Sequence, residues 1–105
     1  MKTILRISLA VAIVAFFAST SSFAQGGDLF KAKCAACHGA TGAGDTTMGK
    51  AMKIRDLGSA DVQKQSDDEL AGVIGKGKGK MPAYDGKLTK DQIGDLVKYI
   101  RSLKK

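Results

Sequence analysis

The sequence predicts an all-α fold of three main helices with a short fourth between them. Three observations carry this reading. Apolar residues recur at helical spacing in separate stretches, and no stretch shows sustained strand-like alternation. Two of the helical stretches also open on a Ser/Thr-x-x-Glu/Gln signature, the reciprocal cap of a helix N-terminus.

The first helix is expected to begin near Gly27-Asp28, where an Asp can accept from free backbone N–H groups and complement the helix dipole. It runs through Leu29, Phe30 and Lys33 towards Cys37. Residues 39–49, rich in Gly and Thr, read as a loop. Ser59 is an N-cap candidate for a short helix through Ala60-Asp61-Val62. Ser66-Asp67-Asp68-Glu69 starts the next, with Leu70, Val73 and Ile74 on one face and Gly75, Gly77 and Gly79 ending it. Thr89-Lys90-Asp91-Gln92 starts the last. Its stripe is Ile93, Leu96, Val97, Ile100 and Leu103, with Lys104 and Lys105 placed where cations suit a helix C-terminus.

The chain has 105 residues and a formal charge of +7. Its start reads as a secretory leader. Lys2 and Arg6 are basic, Ile7 to Ala18 is apolar except for Ser8, and Ser22 and Ala24 occupy the −3 and −1 places of a cleavage site after Ala24. That apolar run has 12 residues, short of the roughly 20 that cross a bilayer, so the mature form is not expected to span a membrane. The domain is residues 25–105, and removing residues 1–24 lowers the charge to +5. A chain of 81 residues buries a modest core and usually needs a staple. A bridge between the only two cysteines, Cys34 and Cys37, closes too small a loop to supply much stability, which points to a cofactor.

Cys34-Ala35-Ala36-Cys37-His38 is a C-x-x-C-H sequence, the signature of covalent haem attachment. Two thiols one helical turn apart can reach the two vinyl groups of one porphyrin, and the histidine that follows can meet the iron. The other uses of these residues fit less well. A thioredoxin-like dithiol needs a βαβ setting. A structural zinc site needs four ligands, and the chain has no further Cys or His. A plain disulfide is the remaining alternative.

Haem iron bound by His and Met is the electron-transfer arrangement. Met81 is the expected sixth ligand. It sits in the Gly-rich segment 75–86, and Pro82 restricts it to an extended conformation, so little entropy is lost when it binds iron. Met48 and Met52 are expected to line the pocket instead.

With these residues in place the chain resembles a class I cytochrome c, nearest the small bacterial mono-haem types and the cytochrome c6-like group. The resemblance spans essentially all of residues 25–105. It rests on the C-x-x-C-H motif, on Met81-Pro82-Ala83-Tyr84 and on the closing amphipathic helix. It implies the class I cytochrome c fold wrapped around one covalent haem c with its iron. It also implies that the first and last helices cross, with Gly26 and Phe30 of one meeting Leu96 and Tyr99 of the other. The chain lacks the proline that many relatives carry after the haem histidine, whose carbonyl accepts from the second ring nitrogen. A backbone carbonyl within residues 46–49 is expected to serve instead. Leu57, Val73, Ile74 and Tyr84 are the expected pocket walls.

Lys76, Lys78 and Lys80 alternate with glycines before Met81, and Lys87 follows. A positive ring near the haem edge would steer the protein towards redox partners with acidic docking surfaces; the plainer alternative is a solvated loop. Nucleic acid is not an expected partner, since the basic residues are not interleaved with aromatics. The leading expectation is a monomeric periplasmic carrier of single electrons and not an enzyme. Cys34 and Cys37 tether the haem, and His38 and Met81 bind its iron. A haem sensor, a peroxidase-like enzyme and a subunit of a larger oxidoreductase stay open. The first two need a sixth position free of Met81.

Overall fold

A computed structural model of the protein describes residues 22–105, so the leader expected over residues 1–24 falls almost wholly outside the described residues. In chain order the helices are α1 (Ser22–Lys33), α2 (Ala35–His38), α3 (Thr47–Ala51), α4 (Ala60–Gln63), α5 (Asp67–Lys76) and α6 (Lys90–Ser102). Among the described residues there is no strand, only isolated bridges of Lys78 with Met81 and Asp85 with Leu88.

The all-α expectation holds, with α1, α5 and α6 as the three long helices. Helix α6 begins as the sequence predicts. Thr89 Oγ1 accepts from the Gln92 N–H at 3.1 Å, and Gln92 Oε1 accepts from the Thr89 N–H at 2.8 Å. At α5 only half of this device forms. Ser66 Oγ accepts from the Glu69 N–H at 3.1 Å, while Glu69 is exposed. Helix α4 has Ser59 at its N-cap position, but the hydroxyl makes no capping bond.

Helix α1 already includes Ser22, the first described residue, so Gly26, Gly27 and Asp28 lie inside it rather than at its start as the sequence predicts. The packing accounts for this. Gly26 is buried against α6, where a Cβ would run into the Asp95 carbonyl oxygen and stand 3.1 Å from Tyr99 Cβ. The glycine is there for close approach between helices rather than for a break. Phe30 follows one turn later, 1 % exposed, with its ring centroid 5.0 Å from that of Tyr99. Leu96, also 1 % exposed, completes the crossing. The meeting of Gly26 and Phe30 with Leu96 and Tyr99 is therefore as expected from the resemblance.

Val62, Leu70, Ile74, Ile93, Val97 and Ile100 join Phe30 and Leu96 in one core. Polar ties hold the 57–67 segment to α6. Gln63 Nε2 donates to the carbonyls of Leu57 at 2.8 Å and Ile100 at 2.9 Å. Arg101 donates to the carbonyls of Gln63 at 2.8 Å and Gln65 at 2.5 Å, and to Asp67 Oδ1 at 2.9 Å. These bonds fix one wall of the cleft described next.

Candidate haem site

The C-x-x-C-H residues form the corner between α1 and α2. Cys34 keeps a helical bond, its N–H donating to the Phe30 carbonyl at 2.8 Å. The N–H groups of Cys37 and His38 both turn back to the Cys34 carbonyl, at 3.2 and 2.9 Å. The two thiols therefore stand a single turn apart, as the spacing requires. Gly39 ends the turn at φ +84°, a conformation an L-residue rarely adopts.

The following loop folds onto the backbone of this corner. The Gly44 N–H donates to the His38 carbonyl at 2.7 Å, and Thr46 Oγ1 donates to the Cys37 carbonyl at 2.7 Å. The same Thr46 oxygen accepts from the Gly49 N–H at 2.8 Å, which caps α3, a helix unforeseen in the sequence. Gly49 is buried, and a Cβ there would stand 2.5 Å from the Gly44 carbonyl oxygen and 2.6 Å from that of Cys37.

One cleft, about 590 Å³ in volume, takes Cys34, Cys37, His38 and Met81 into a single lining. That volume lies in the ordinary range for cofactor pockets. Leu57, Val73, Ile74 and Tyr84 all line it, as expected. So do Phe30, Val62, Leu70, Leu96 and Ile100, which makes the core and the cleft wall one continuous surface. Of the two methionines expected there, Met52 lines the cleft, whereas Met48 is 55 % exposed on the first turn of α3 and does not. Met52 is the C-cap of α3, and its N–H still donates to the Met48 carbonyl at 3.0 Å. Residues 53–55 form a wall that sequence reasoning missed. Ile54 has no periodic neighbours to mark it, and Lys53 sits at φ +54°. A second cleft, of about 700 Å³ between α5 and α6, contains no Cys, His or Met.

Met81 is held by a tight turn. Its N–H donates to the Lys78 carbonyl at 2.9 Å, and the Lys78 N–H donates to the Met81 carbonyl at 3.2 Å. Gly79 makes the turn at φ +56°.

The electrostatics suit a haem ligand set better than a thiolate site. Burial lowers the pKa of His38, which keeps the imidazole neutral, the form that binds iron. Burial, then the neighbouring Cys37, pushes the Cys34 thiol up to about 11, so it remains protonated at neutral pH. Cys34 and Cys37 are not bridged to each other. No group of three or more His, Cys, Asp or Glu side chains capable of holding a metal gathers among the described residues. Two thiols, one neutral imidazole and one thioether around an apolar cleft fit a covalently held haem.

His38 Nδ1 is buried and without a hydrogen-bond partner, so the acceptor expected from residues 46–49 does not appear. Three of the carbonyls there accept from the backbone of α3 and its exit. The Thr46 carbonyl accepts from Lys50, that of Met48 from Met52 and that of Gly49 from Ile54.

The cleft lining carries Lys33, Lys53, Arg55, Lys78 and Lys80 and contains no Asp or Glu. Of the four lysines singled out in sequence, Lys78 and Lys80 are at the cleft. Lys76 lines the cleft between α5 and α6, and the Lys87 ammonium stands 6.0 Å from the centroid of the Tyr84 ring.

Comparison with known proteins agrees with this geometry. Residues 21–100 match the family described as "Cytochrome C oxidase, cbb3-type, subunit III". The chain is 38 % identical over 77 residues to cytochrome c6 of Leptolyngbya boryana, covering 73 % of this chain and 87 % of that protein. It is 33 % identical over 108 residues to cytochrome c6 of a Picosynechococcus strain, covering 95 % and 92 %. Among solved structures, the KustC0563 c-type cytochrome superposes with a TM-score of 0.71 at 32 % identity, covering 76 % of this chain and 98 % of that one.

Proposed function

The chain belongs to the class I mono-haem c-type cytochromes, electron-transfer proteins that carry a covalent haem c with its iron, and on that footing we propose that it is a periplasmic one-electron carrier with His38 and Met81 as its iron ligands and Cys34 and Cys37 as its haem tethers. The observation that carries the ligand assignment is the shared cleft: both thiols, the imidazole and the Met81 thioether line one cavity walled in large part by the apolar core.

The haem supplies an iron that passes between ferric and ferrous forms. The protein's residues do the rest. Phe30, Leu96 and Ile100 keep water from one side of the cleft. His38 is held neutral by burial. Met81 is a soft thioether ligand, which favours the reduced iron and raises the potential. With His38 and Met81 both holding the iron, no position would be left for a substrate, and the chemistry supplied would be electron transfer. The haem-loaded protein is expected to be low-spin in both oxidation states and to bind carbon monoxide only slowly, as Met81 transiently leaves the iron. A high-spin spectrum, or ready carbon monoxide binding by the reduced form, would count for a sensor or peroxidase instead.

The cations at the cleft support docking to an acidic partner. With five cations and no carboxylate in the lining, the cleft presents local positive charge to a partner. Association with a redox partner should slow as salt rises, and a rate flat with ionic strength refutes this steering. Export follows from the leader. The periplasmic protein should begin at Gln25, readable by N-terminal sequencing.

A second reading has an observation of its own. The family matched over residues 21–100 is named for an oxidase subunit, so this domain could deliver electrons within a larger assembly. Stable co-purification with an oxidoreductase would favour that reading over a free shuttle.

A further inference from the structure

The segment bearing Met81 is tied to the two sides of the cleft in different ways. Lys78 and Met81 bond to each other rather than to a neighbouring element. The flanking backbone bonds lead to α5. The Gly77 N–H donates to the Val73 carbonyl at 2.9 Å, and the Tyr84 N–H is shared between the carbonyls of Ile74 and Gly75, each at 3.1 Å. The tie to the side where Cys34 and His38 stand is made by a side chain. The Tyr84 phenol donates to the Lys33 carbonyl at 3.1 Å, joining residues 51 apart in sequence.

The acceptor is available for a structural reason. In a continuous helix the Lys33 carbonyl would receive the Cys37 N–H. Here that N–H donates to Cys34 instead, because the chain breaks between α1 and α2 at the first haem-motif cysteine. Lys33 is the last residue of α1, and its carbonyl is one of the groups a helix end leaves unsatisfied. The Tyr84 ring meanwhile lines the cleft, three residues beyond Met81. One side chain thus caps α1, walls the cleft and spans it.

We propose that Tyr84 is a positioning residue: its phenol latches the Met81 segment to the Lys33 carbonyl and so keeps the Met81 sulfur on the iron. This rests on the reading of Met81 as the sixth ligand. Without the latch, the segment hangs from α5 alone and Met81 leaves the iron more often. An ordinary hydrogen bond lost from that equilibrium raises the detached fraction about fivefold.

The test is Tyr84→Phe in the haem-loaded protein, which keeps the ring in the cleft wall and removes only the hydroxyl. Carbon monoxide can enter the reduced protein only while Met81 is off the iron, so its binding rate reads the detached fraction. The variant is expected to bind carbon monoxide about fivefold faster. It should also lose the red Fe–S(Met) charge-transfer band at a lower temperature than the parent, while helix unfolding in denaturant changes little. A hydroxyl with a merely structural role would move the unfolding midpoint and leave the carbon monoxide rate alone. If the parent shows the band and the variant's rate is unchanged, the latch is refuted and the ligand stands. If the parent itself lacks the band, the ligand assignment fails and the latch with it.

Discussion

Gly77 links α5 to the Met81 turn and packs against its backbone, and Gly77→Ala should damage the iron site before it damages the fold. Gly77 closes α5 at φ 77° and ψ 169°. That backbone region is essentially restricted to glycine, and holding another residue there costs about 1–3 kcal/mol. The space is closed as well. A Cβ would stand 2.6 Å from the Met81 carbonyl oxygen, 3.0 Å from the Ala83 nitrogen and 3.1 Å from the Pro82 carbonyl carbon. These are backbone atoms, so relief requires segment 81–83 to move, and overpacking of this kind adds about 1–3 kcal/mol. The combined cost, on the order of 2–6 kcal/mol, is a large part of a small domain's stability, but displacing Met81 relieves much of it.

Gly79→Ala provides the reference, since Gly79 has φ +56° and a Cβ there would meet nothing within 4 Å. It should lose only the left-handed strain, about 1–2 kcal/mol. The assay is the red Fe–S(Met) band of the ferric protein at room temperature, measured with the denaturant midpoint from far-ultraviolet circular dichroism. Gly77→Ala should lose the band while the helices remain folded, and Gly79→Ala should keep it. A Gly77→Ala protein with the parent's band and midpoint refutes the reasoning, as does an equal loss in both variants.

Three further outcomes follow from the packing and charge. Gly26→Ala should destabilise the protein by about 2 kcal/mol in chemical denaturation, because the overpacking against Asp95 and Tyr99 outweighs a gain of roughly 1 kcal/mol in helix propensity. Gly72→Ala should do the opposite, adding about 0.5–1 kcal/mol and a few degrees in Tm, since the position lies inside α5 with open space before it. Asp56 has its pKa lowered from 3.8 by its hydrogen bond to Lys105, then by the Gly58 N–H. A carboxyl depressed on folding stabilises above its ordinary pKa, and that contribution is lost as pH falls below about 3.8 through the folded value. Asp56→Asn should therefore lower stability in the neutral region, converge with the parent at low pH and so flatten the acid limb of the stability curve.

The parts legible in sequence are those with a local physical code. Thr89 and Gln92 cap each other without help from elsewhere, and the stripe of α6 needs only a periodicity of 3.6. The C-x-x-C-H motif is similarly self-contained, because the two thiols and the imidazole are presented by a single turn. Other features depend on contacts that the local pattern does not encode. Local pattern starts the first helix near Gly27-Asp28, and only the crossing with α6 accounts for Gly26 inside it. Helix α3 starts inside a Gly/Thr-rich stretch because Thr46 is held by the Cys37 carbonyl. Ile54 lines the cleft from irregular backbone, where no periodicity marks an inward residue. The acceptor for His38 Nδ1, expected within residues 46–49, is not formed, and local pattern gives no signal of that.

The ligand assignment meets its sharpest competitor in Met52, which lines the same cleft as Met81. The direct measurement is the red Fe–S(Met) band of the ferric protein, recorded for the parent, Met52→Ala and Met81→Ala. The band should be present in the parent and in Met52→Ala and absent from Met81→Ala. A band that survives Met81→Ala and disappears in Met52→Ala would place the wrong methionine on the iron and overturn the account.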